Sequence, residues 1–137
     1  MTDERIGNYG TVIGSETIAE EKILFNTVVK RGSANGLIGQ ADAPSDPVAG
    51  VAEFDYRRWF KDNTVRDGWE QGEPVPVKNT GEAIVTASGQ INYLQNVSAD
   101  TGGKVEASDD SDAVIGIALT AATNDGDRII VHLLNLS

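Results

Sequence analysis

Few residues in this sequence are of the types that perform chemistry, and none has the neighbours that such chemistry needs. The chain has no cysteine and one histidine, His132, which lies in an apolar run without a partner for a metal site or a catalytic pair. We therefore interpret His132 as a residue of the core or of an interface. The acidic run 109–112 lacks the spacing and the closing glutamate of an EF-hand, so we expect a solvated turn there.

Motifs of the common enzyme classes are also missing. No serine lies in a G-x-S-x-G context, and no G-x-x-x-x-G-K loop is present to hold a phosphate. The adjacent Glu20 and Glu21 belong to no pattern that would raise a carboxyl pKa for acid–base catalysis. The sequence therefore predicts a protein that is not an enzyme, with no catalytic residue, metal site or cofactor. A small hydrolase of unrecognised type is the remaining enzymatic alternative.

Residues 55–69 have the composition of a contact surface. They include both tryptophans of the chain, and aromatic residues and arginine dominate binding hot spots. Because the whole chain carries a net charge of −10, this basic and aromatic stretch favours an acidic or apolar partner. The alternative is a loop whose aromatic side chains fold back over the domain. The candidate interface residues are Tyr56, Arg57, Arg58, Trp59, Phe60, Arg66 and Trp69.

The first 22 residues form a second candidate contact region. They are polar and interrupted by glycines, which predicts an N-terminal arm over residues 1–22 that gains little by folding on its own domain. Thr17 and Glu20 have the spacing of a capping box, so one or two helical turns could follow. A frayed terminus is the alternative. The arm's candidate interface residues are Ile6, Tyr9, Val12 and Ile13.

The remainder, residues 23–137, reads as a single β domain with an insert loop at 55–72. Short runs rich in β-branched residues alternate with Gly, Asn, Asp and Pro turns, which is typical of a small all-β barrel or sandwich. Pro74 and Pro76 predict an edge strand, and Asp125–Gly126 predicts a hairpin turn. The last strand, 128–136, is apolar on both faces, so we expect it to be central in a sheet or covered by a partner.

A repeated unit organises this β domain. Residues 41–52 read ADAPSDPVAGVA and residues 107–118 read ASDDSDAVIGIA, with six of twelve positions identical when counted along the two strings. Each copy follows a short strand led by glycine. We expect Ser and Asp to organise the turn through side-chain bonds to the backbone. We expect the glycine in the following strand to allow a bulge or a close backbone approach.

The ordered set of motifs resembles the head decoration, or cement, proteins of tailed phages. The motifs are V-V-K-R-G at Val28–Gly32, V-A-G-V-A at Val48–Ala52, G-E-P-V-P-V-x-x-x-G at Gly72–Gly81 and V-I-G-I-A at Val114–Ala118. The resemblance implies a β-barrel-like or β-tulip-like fold with an extended N-terminal arm. The aromatic and basic insert departs from the family pattern, which leaves the oligomer and the contact surface open.

The function implied by this resemblance is stabilisation of an assembled viral head. The expected partners are the major capsid protein and further copies of the chain, as a dimer or trimer, on the outer surface of the virion after synthesis in the host cytoplasm. The acidic charge argues against binding nucleic acid, and no apolar run is long enough to predict a membrane span. The alternative function is a soluble carbohydrate- or ligand-binding β module, with Trp59 and Trp69 as stacking platforms.

Overall fold

The computed structural model describes residues 17–53, 67–109, 113–134 and 136. Within them the regular structure is β, apart from one 3-10 turn at Thr101–Gly103, and no helix there is long and apolar enough to cross a membrane. The strands are β1 Ile18–Ala19, β2 Ile23–Leu24, β3 Thr27–Arg31, β4 Leu37–Gln40, β5 Val48–Ala52, β6 Gly68–Trp69, β7 Val77–Lys78, β8 Gly81–Thr86, β9 Asn96–Ala99, β10 Val105–Ala107, β11 Gly116–Ala118 and β12 Arg128–Leu133.

The first sheet contains β1, β4, β3, β5 and β7, in that order. Its neighbours are antiparallel except β1 and β4, which run parallel. The strand β7 lies at an edge, as the two prolines before it predict. A β-bridge between Ile18 and Pro74 joins β1 to the segment that leads into β7, so the two edges of the sheet curl toward each other. This curled sheet is the barrel-like first half of the domain.

The second sheet has the order β10, β9, β11, β12 and β8, and all its neighbours are antiparallel. A parallel bridge between Ala87 and Val105 brings its two edges together in the same way. The turn before β12 contains Gly126 at a φ of 97°, in agreement with the predicted hairpin. The strand β12 pairs with β11 on one side and β8 on the other, which confirms its predicted central position.

The sequence repeat has a structural counterpart in these two sheets. The order β4-β3-β5-β7 in the first corresponds to β10-β9-β11-β12 in the second, with the repeated strands β5 and β11 in equivalent places. A Cβ on Gly50 would collide with the carbonyl oxygen of Lys78, and a Cβ on Gly116 would lie 2.6 Å from that of His132. Each repeated glycine therefore lets the next strand approach closely, as the motif predicts.

Two apolar clusters fill the domain. The first lies inside the first sheet and includes Ile23, Val29 and Trp69, whereas the second lies mainly inside the second sheet. Val28 and Val51 also belong to the second cluster, although β3 and β5 are strands of the first sheet. The strand β5 and the first three residues of β3 are therefore buried on both faces, which explains the unbroken apolar sequence of β5.

Asn26 and Glu53 fasten the two sheets together along the outer edge of β8. The Asn26 side-chain amide donates to the Ile84 carbonyl oxygen at 3.3 Å, and the Thr86 N–H donates to the Asn26 carbonyl oxygen at 3.0 Å. Glu53 Oε2 accepts the Ile84 N–H at 2.9 Å, and Lys78 pairs with Glu53 at 2.9 Å. Asn26 has a φ of 60°, a conformation that asparagine tolerates better than most residues. Bonding groups on this strand edge thus remain paired within the chain.

Candidate interaction surfaces

Trp69 is the one predicted interface residue that the structure describes, and it belongs to the core. Its side chain is 3% exposed, and its ring packs edge-on against Phe25 with the centroids 4.8 Å apart. The prediction of a contact role for Trp69 is therefore wrong. Burial also removes Trp69 as a stacking platform for a sugar, because both ring faces lie within the protein. Trp69 lies within the predicted insert loop 55–72, but residues 68 and 69 form the strand β6, so from here on the insert means residues 54–66.

The other ten predicted interface residues lie outside the described residues. They are Ile6, Tyr9, Val12 and Ile13 of the arm and Tyr56, Arg57, Arg58, Trp59, Phe60 and Arg66 of the insert. The structure does describe the residues to which these two segments are attached. Those attachment points set where on the domain each segment starts, so their geometry bears on what the segments can reach.

The insert returns to the domain beside the segment that follows the arm. The short strands β2 and β6 pair antiparallel, with Ile23 opposite Trp69 and Leu24 opposite Gly68. Gly68 is required here, because a Cβ would collide with the Ile23 carbonyl oxygen. The Phe25 N–H also donates to the Asp67 carbonyl oxygen at 2.9 Å. This pairing joins the return of the insert to the start of the first sheet.

Lys22 also connects the same two segments through ion pairs. Its ammonium lies 2.7 Å from Asp67 Oδ1 and 3.1 Å from Glu70 Oε2. Hydrogen bonding to these carboxylates raises the pKa of Lys22, and Lys22 in turn lowers the pKa of Asp67. All three side chains are exposed, so water and salt weaken the attraction and its main effect is on local geometry.

Residues 17–22 of the predicted arm pack onto the first sheet. Thr17 Oγ1 donates to the Val75 carbonyl oxygen at 2.6 Å, and the Val75 N–H donates to the Thr17 carbonyl oxygen at 2.9 Å. Ala19 is buried in the strand β1, which takes the place of the helical turn suggested by the capping-box spacing. Nearby, hydrogen bonds from the backbone and side chain of Ser33 lower the pKa of Glu20.

The structure therefore attaches both predicted contact segments to the first half of the domain. Residues 1–16 lead into β1, and residues 54–66 leave after Glu53 and return at Asp67. The segment between Thr17 and Phe25 bonds both to Val75 and to Asp67, so it connects the end of the arm to the return of the insert. A partner that touches one segment near its attachment lies within reach of the other.

A further exposed surface was missed by the sequence reasoning. The outward side chains of β8, β11 and β12, together with Leu134 directly after β12, form a surface that we call the open face. Its aliphatic residues are Ile84, Ile117, Ile130 and Leu134. Ile84 is 37% exposed, Ile130 36% and Leu134 41%, whereas Ile117 is half-buried. The signal was present in the apolar pattern on both sides of β12. That pattern predicted a central strand, but it could not show that one side remains uncovered.

His132 lies on this open face, opposite Glu82 on β8 and Ile117 on β11. Its side chain is exposed, so the core alternative proposed from sequence is wrong, and only the interface alternative stays open. Among the residues that the structure describes, no group of three or more His, Cys, Asp or Glu side chains is placed to hold a metal ion. The open face is therefore suited to contact with another molecule, because it exposes both aliphatic and charged side chains.

Comparison with known proteins gives a consistent result. A family model described as structural cement protein (E217 gp24/Pam3 gp6) matches residues 5–134. The crystal structure of the head fiber gp8.5 N base in bacteriophage phi29 is similar in fold, with a TM-score of 0.65 and 15% identity over 88% of this chain and 92% of that chain. A chain of the capsid of Myoviridae phage XM1 has a TM-score of 0.58 and 16% identity over 92% of this chain and 84% of that one. No curated protein sequence matches significantly.

Proposed function

Because the chain belongs to the family of phage structural cement proteins, we propose that it binds the outer surface of an assembled head and bridges neighbouring major capsid subunits. The observation that carries this proposal is the extent of the family match, residues 5–134. The match includes most of the predicted arm, both sheets and the whole insert. The role is structural, and the protein acts through contact area rather than through catalysis.

The attachment of the arm and the insert supports a bridging mechanism. Both segments start from the first half of the domain, and the segment from Thr17 to Phe25 links them. Sixteen residues can span at most about 55 Å when fully extended. The arm can thus reach a capsid subunit next to the one that the insert contacts. The β domain then acts as a rigid connector between two attachment points.

Charge and copy number favour an outer location and a lattice of many copies. A net charge of −10 disfavours contact with packaged nucleic acid, which attracts basic proteins. On a capsid, each bound copy meets repeated sites on neighbouring subunits. Two modest contacts per copy then act together, because binding through one segment raises the effective concentration of the other. Self-association on the capsid would add to this effect.

The direct experiment adds the purified protein to heads assembled without it. Capsid retention is measured by co-sedimentation, and capsid stability by the temperature at which the shell disrupts. We expect the protein to be retained and the disruption temperature to rise. Retention of the protein without any gain in capsid stability would contradict the bridging part of the proposal, and failure to bind would contradict the proposal as a whole.

Two deletions test the bridging mechanism against single-point attachment. One lacks residues 1–16 and keeps Thr17, and the other replaces residues 54–66 with a short Gly/Ser link. If the two segments bind different subunits, each deletion alone weakens retention and abolishes the gain in capsid stability. The matched control exchanges exposed residues of the 123–125 turn, which lies outside both segments. Circular dichroism should first establish that each variant keeps its β structure.

A further inference from the structure

We propose that the turn at residues 92–95 is a further contact site for the capsid, where Tyr93 and Leu94 insert into an uncharged apolar recess on a major capsid subunit. We call these two residues the tip. This inference rests on the proposed function, because it names a new contact with the same partner. The tip lies in the connection between β8 and β9 of the second half, whereas the arm and the insert both start from the first half.

The tip carries the two most exposed large apolar side chains of the described residues. Tyr93 is 64% exposed and Leu94 is 56% exposed, compared with 37% at Ile84 and 41% at Leu134 on the open face. Because most of each side chain lies in solvent, packing in the core does not account for the residue types at these two positions. Two such residues side by side form an apolar projection of the kind that marks a contact site.

Leu94 has a backbone conformation that is unfavourable for leucine. The Gln95 N–H donates to the Asn92 carbonyl oxygen at 3.0 Å, and Leu94, the third residue of this turn, has a φ of 66°. Glycine or asparagine usually provides a positive φ at this position, because a larger side chain crowds the backbone there. Three other hydrogen-bonded turns of the described chain have a positive φ at the third residue, which is Gly36, Gly72 or Gly126. Leucine at this position therefore destabilises the fold without being buried, and a contact with another molecule accounts for it better.

Hydrogen bonds to the end of β11 hold the tip in place. The Leu94 N–H donates to the Ala118 carbonyl oxygen at 2.7 Å, and the Ala118 N–H donates to the Gln95 carbonyl oxygen at 2.9 Å. The Asn92 N–H donates to Gln95 Oε1 at 2.9 Å, which closes the turn from its other side. The backbone of Tyr93 and Leu94 is thus fixed before a partner arrives, so less conformational freedom is lost on binding.

The tip belongs to the longest uncharged run of the sequence. Residues 83–99 and 113–124 are the two longest runs without Asp, Glu, Lys or Arg, although 23% of the chain is charged. The two runs lie side by side, since Ile91 and Ala122 form a β-bridge. A contact made by these runs removes none of their side-chain charge from water and adds no like-charge repulsion, which matters for a chain of net charge −10.

These features favour a recess on a protein as the partner. Tyr93 offers a large apolar ring with few rotatable bonds and a hydroxyl that can hydrogen-bond at the rim of a recess. The two uncharged runs provide no basic side chain for a phosphate group, which disfavours nucleic acid and anionic lipid. Two projecting tips are not complementary to each other, so a twofold contact between copies through this turn would bury little area. The recess is therefore assigned to the capsid.

Substitutions at Leu94 separate a contact role from a structural role. Leu94→Asn removes the apolar side chain and introduces a residue that tolerates positive φ, so the melting temperature of the isolated protein should rise by about 2–6 °C. Its affinity for heads assembled without the protein should nevertheless fall at least about tenfold. The matched control Leu94→Met keeps an apolar side chain and the same backbone, so it should melt and bind like the wild type. Unchanged binding of Leu94→Asn, or weaker binding together with a lower melting temperature, would overturn the proposal.

Tyr93 allows a direct test of the contact, because hydroxyl radicals oxidise exposed tyrosine side chains. Mass spectrometry compares the oxidation of Tyr93 in the free protein and in the protein bound to heads. We expect less oxidation on heads, and Tyr93→Ser should bind at least about tenfold more weakly with no change in melting temperature. Equal oxidation in the two states would overturn the proposal. Protection of Tyr93 in concentrated free protein would identify a second copy as the occupant and would also overturn it.

The wild-type chain separates this inference from the proposed function. If the wild type binds heads and both Tyr93→Ser and Leu94→Asn bind equally well, the tip is not a contact and the decoration role stands. If the wild type itself does not bind heads, the decoration role fails, and the capsid contact at the tip fails with it.

Discussion

The two halves of the domain repeat one topology but differ in what covers them. In the first half, β5 is buried along almost its whole length, because its two faces contact the two apolar clusters. In the second half, the equivalent strand β11 leaves Ile117 half-exposed, and its neighbour β12 alternates strictly between exposed and buried residues. The arm and the insert are both attached to the first half. The same strand unit thus builds an internal wall in one half and an outer surface in the other.

This difference shows how a duplicated unit can take on two tasks. The repeated glycines Gly50 and Gly116 keep the same packing role in both halves, since each lies against the backbone of the next strand. Outside that conserved contact, the first half is covered by the second half and by the segments at Thr17–Phe25. The second half has no such cover among the described residues, so its aliphatic exterior is open to another molecule.

Breaking the internal wall should have the largest effect. Val51 is fully buried and packs in the second cluster although it belongs to the first sheet, so Val51→Asp places a charge between the two halves. We expect a loss of at least about 4 kcal/mol in the free energy of unfolding, enough to leave the chain mostly unfolded. Circular dichroism and urea titration measure this directly.

The same substitution on the outer surface supplies the contrast. Ile130→Asp changes an exposed side chain, and we expect the free energy of unfolding of the monomer to change by less than about 1 kcal/mol. A comparable loss in the free energy of unfolding for Val51→Asp and Ile130→Asp would contradict the distinction between a buried strand in the first half and an exposed strand in the second.

The repeated glycines should have smaller effects, and the effect should be larger in the first half. A Cβ at Gly116 would lie 2.6 Å from Val131 Cγ1, and a Cβ at Gly50 2.7 Å from Val77 Cγ1, so each Ala variant must displace the next strand. We expect Gly116→Ala to lower the free energy of unfolding by about 1–3 kcal/mol, and Gly50→Ala to lower it more, because Gly50 also has a φ of 155° that alanine rarely adopts. Thermal unfolding checks this expectation. Gly89→Ala is the control, because a Cβ there meets no atom within 4 Å.

Sequence reasoning anticipated much of the fold because its strongest signals are local. Residue types within a short window are enough to predict three features: the two aligned units at 41–52 and 107–118, the edge position after Pro76 and the central position of β12. The contacts that close each sheet, in contrast, join residues that are far apart in sequence. The bridge from Ile18 to Pro74 joins residues far apart in sequence, and neither residue type marks the other as its partner.

The candidate site was harder to predict for a related reason. Tryptophan is enriched both in cores and in binding surfaces, so composition alone could not distinguish the two at Trp69. Its burial depends on the pairing of β6 with β2, which lies 46 positions earlier at Ile23. His132 shows the converse, since an apolar sequence around it suggested burial. Its exposure depends on the absence of a covering layer over β12 among the described residues.

The smallest predicted effect concerns two turns with the same hydrogen-bond pattern, one in each half. Asp46 accepts the N–H groups of Asp42 and Ala43 before β5, and Asp127 accepts those of Thr123 and Asn124 before β12. These backbone bonds lower the pKa of Asp127 below its ordinary value of 3.8. The carboxylate therefore stabilises the fold above that value, and the contribution is lost as the pH falls through the lower, folded-state pKa.

Asp127→Asn should reduce the melting temperature slightly at neutral pH, because an amide oxygen accepts the two N–H groups more weakly than a carboxylate does. The difference from the wild type should shrink as the pH falls below the ordinary value of 3.8, and it should vanish once the pH is also below the folded-state pKa of Asp127. Thermal melts across this pH range measure the difference, with Asp125→Asn as the control for loss of one negative charge in the same turn. A constant difference at all pH values would mean that Asp127 acts through packing of the turn rather than through its charge.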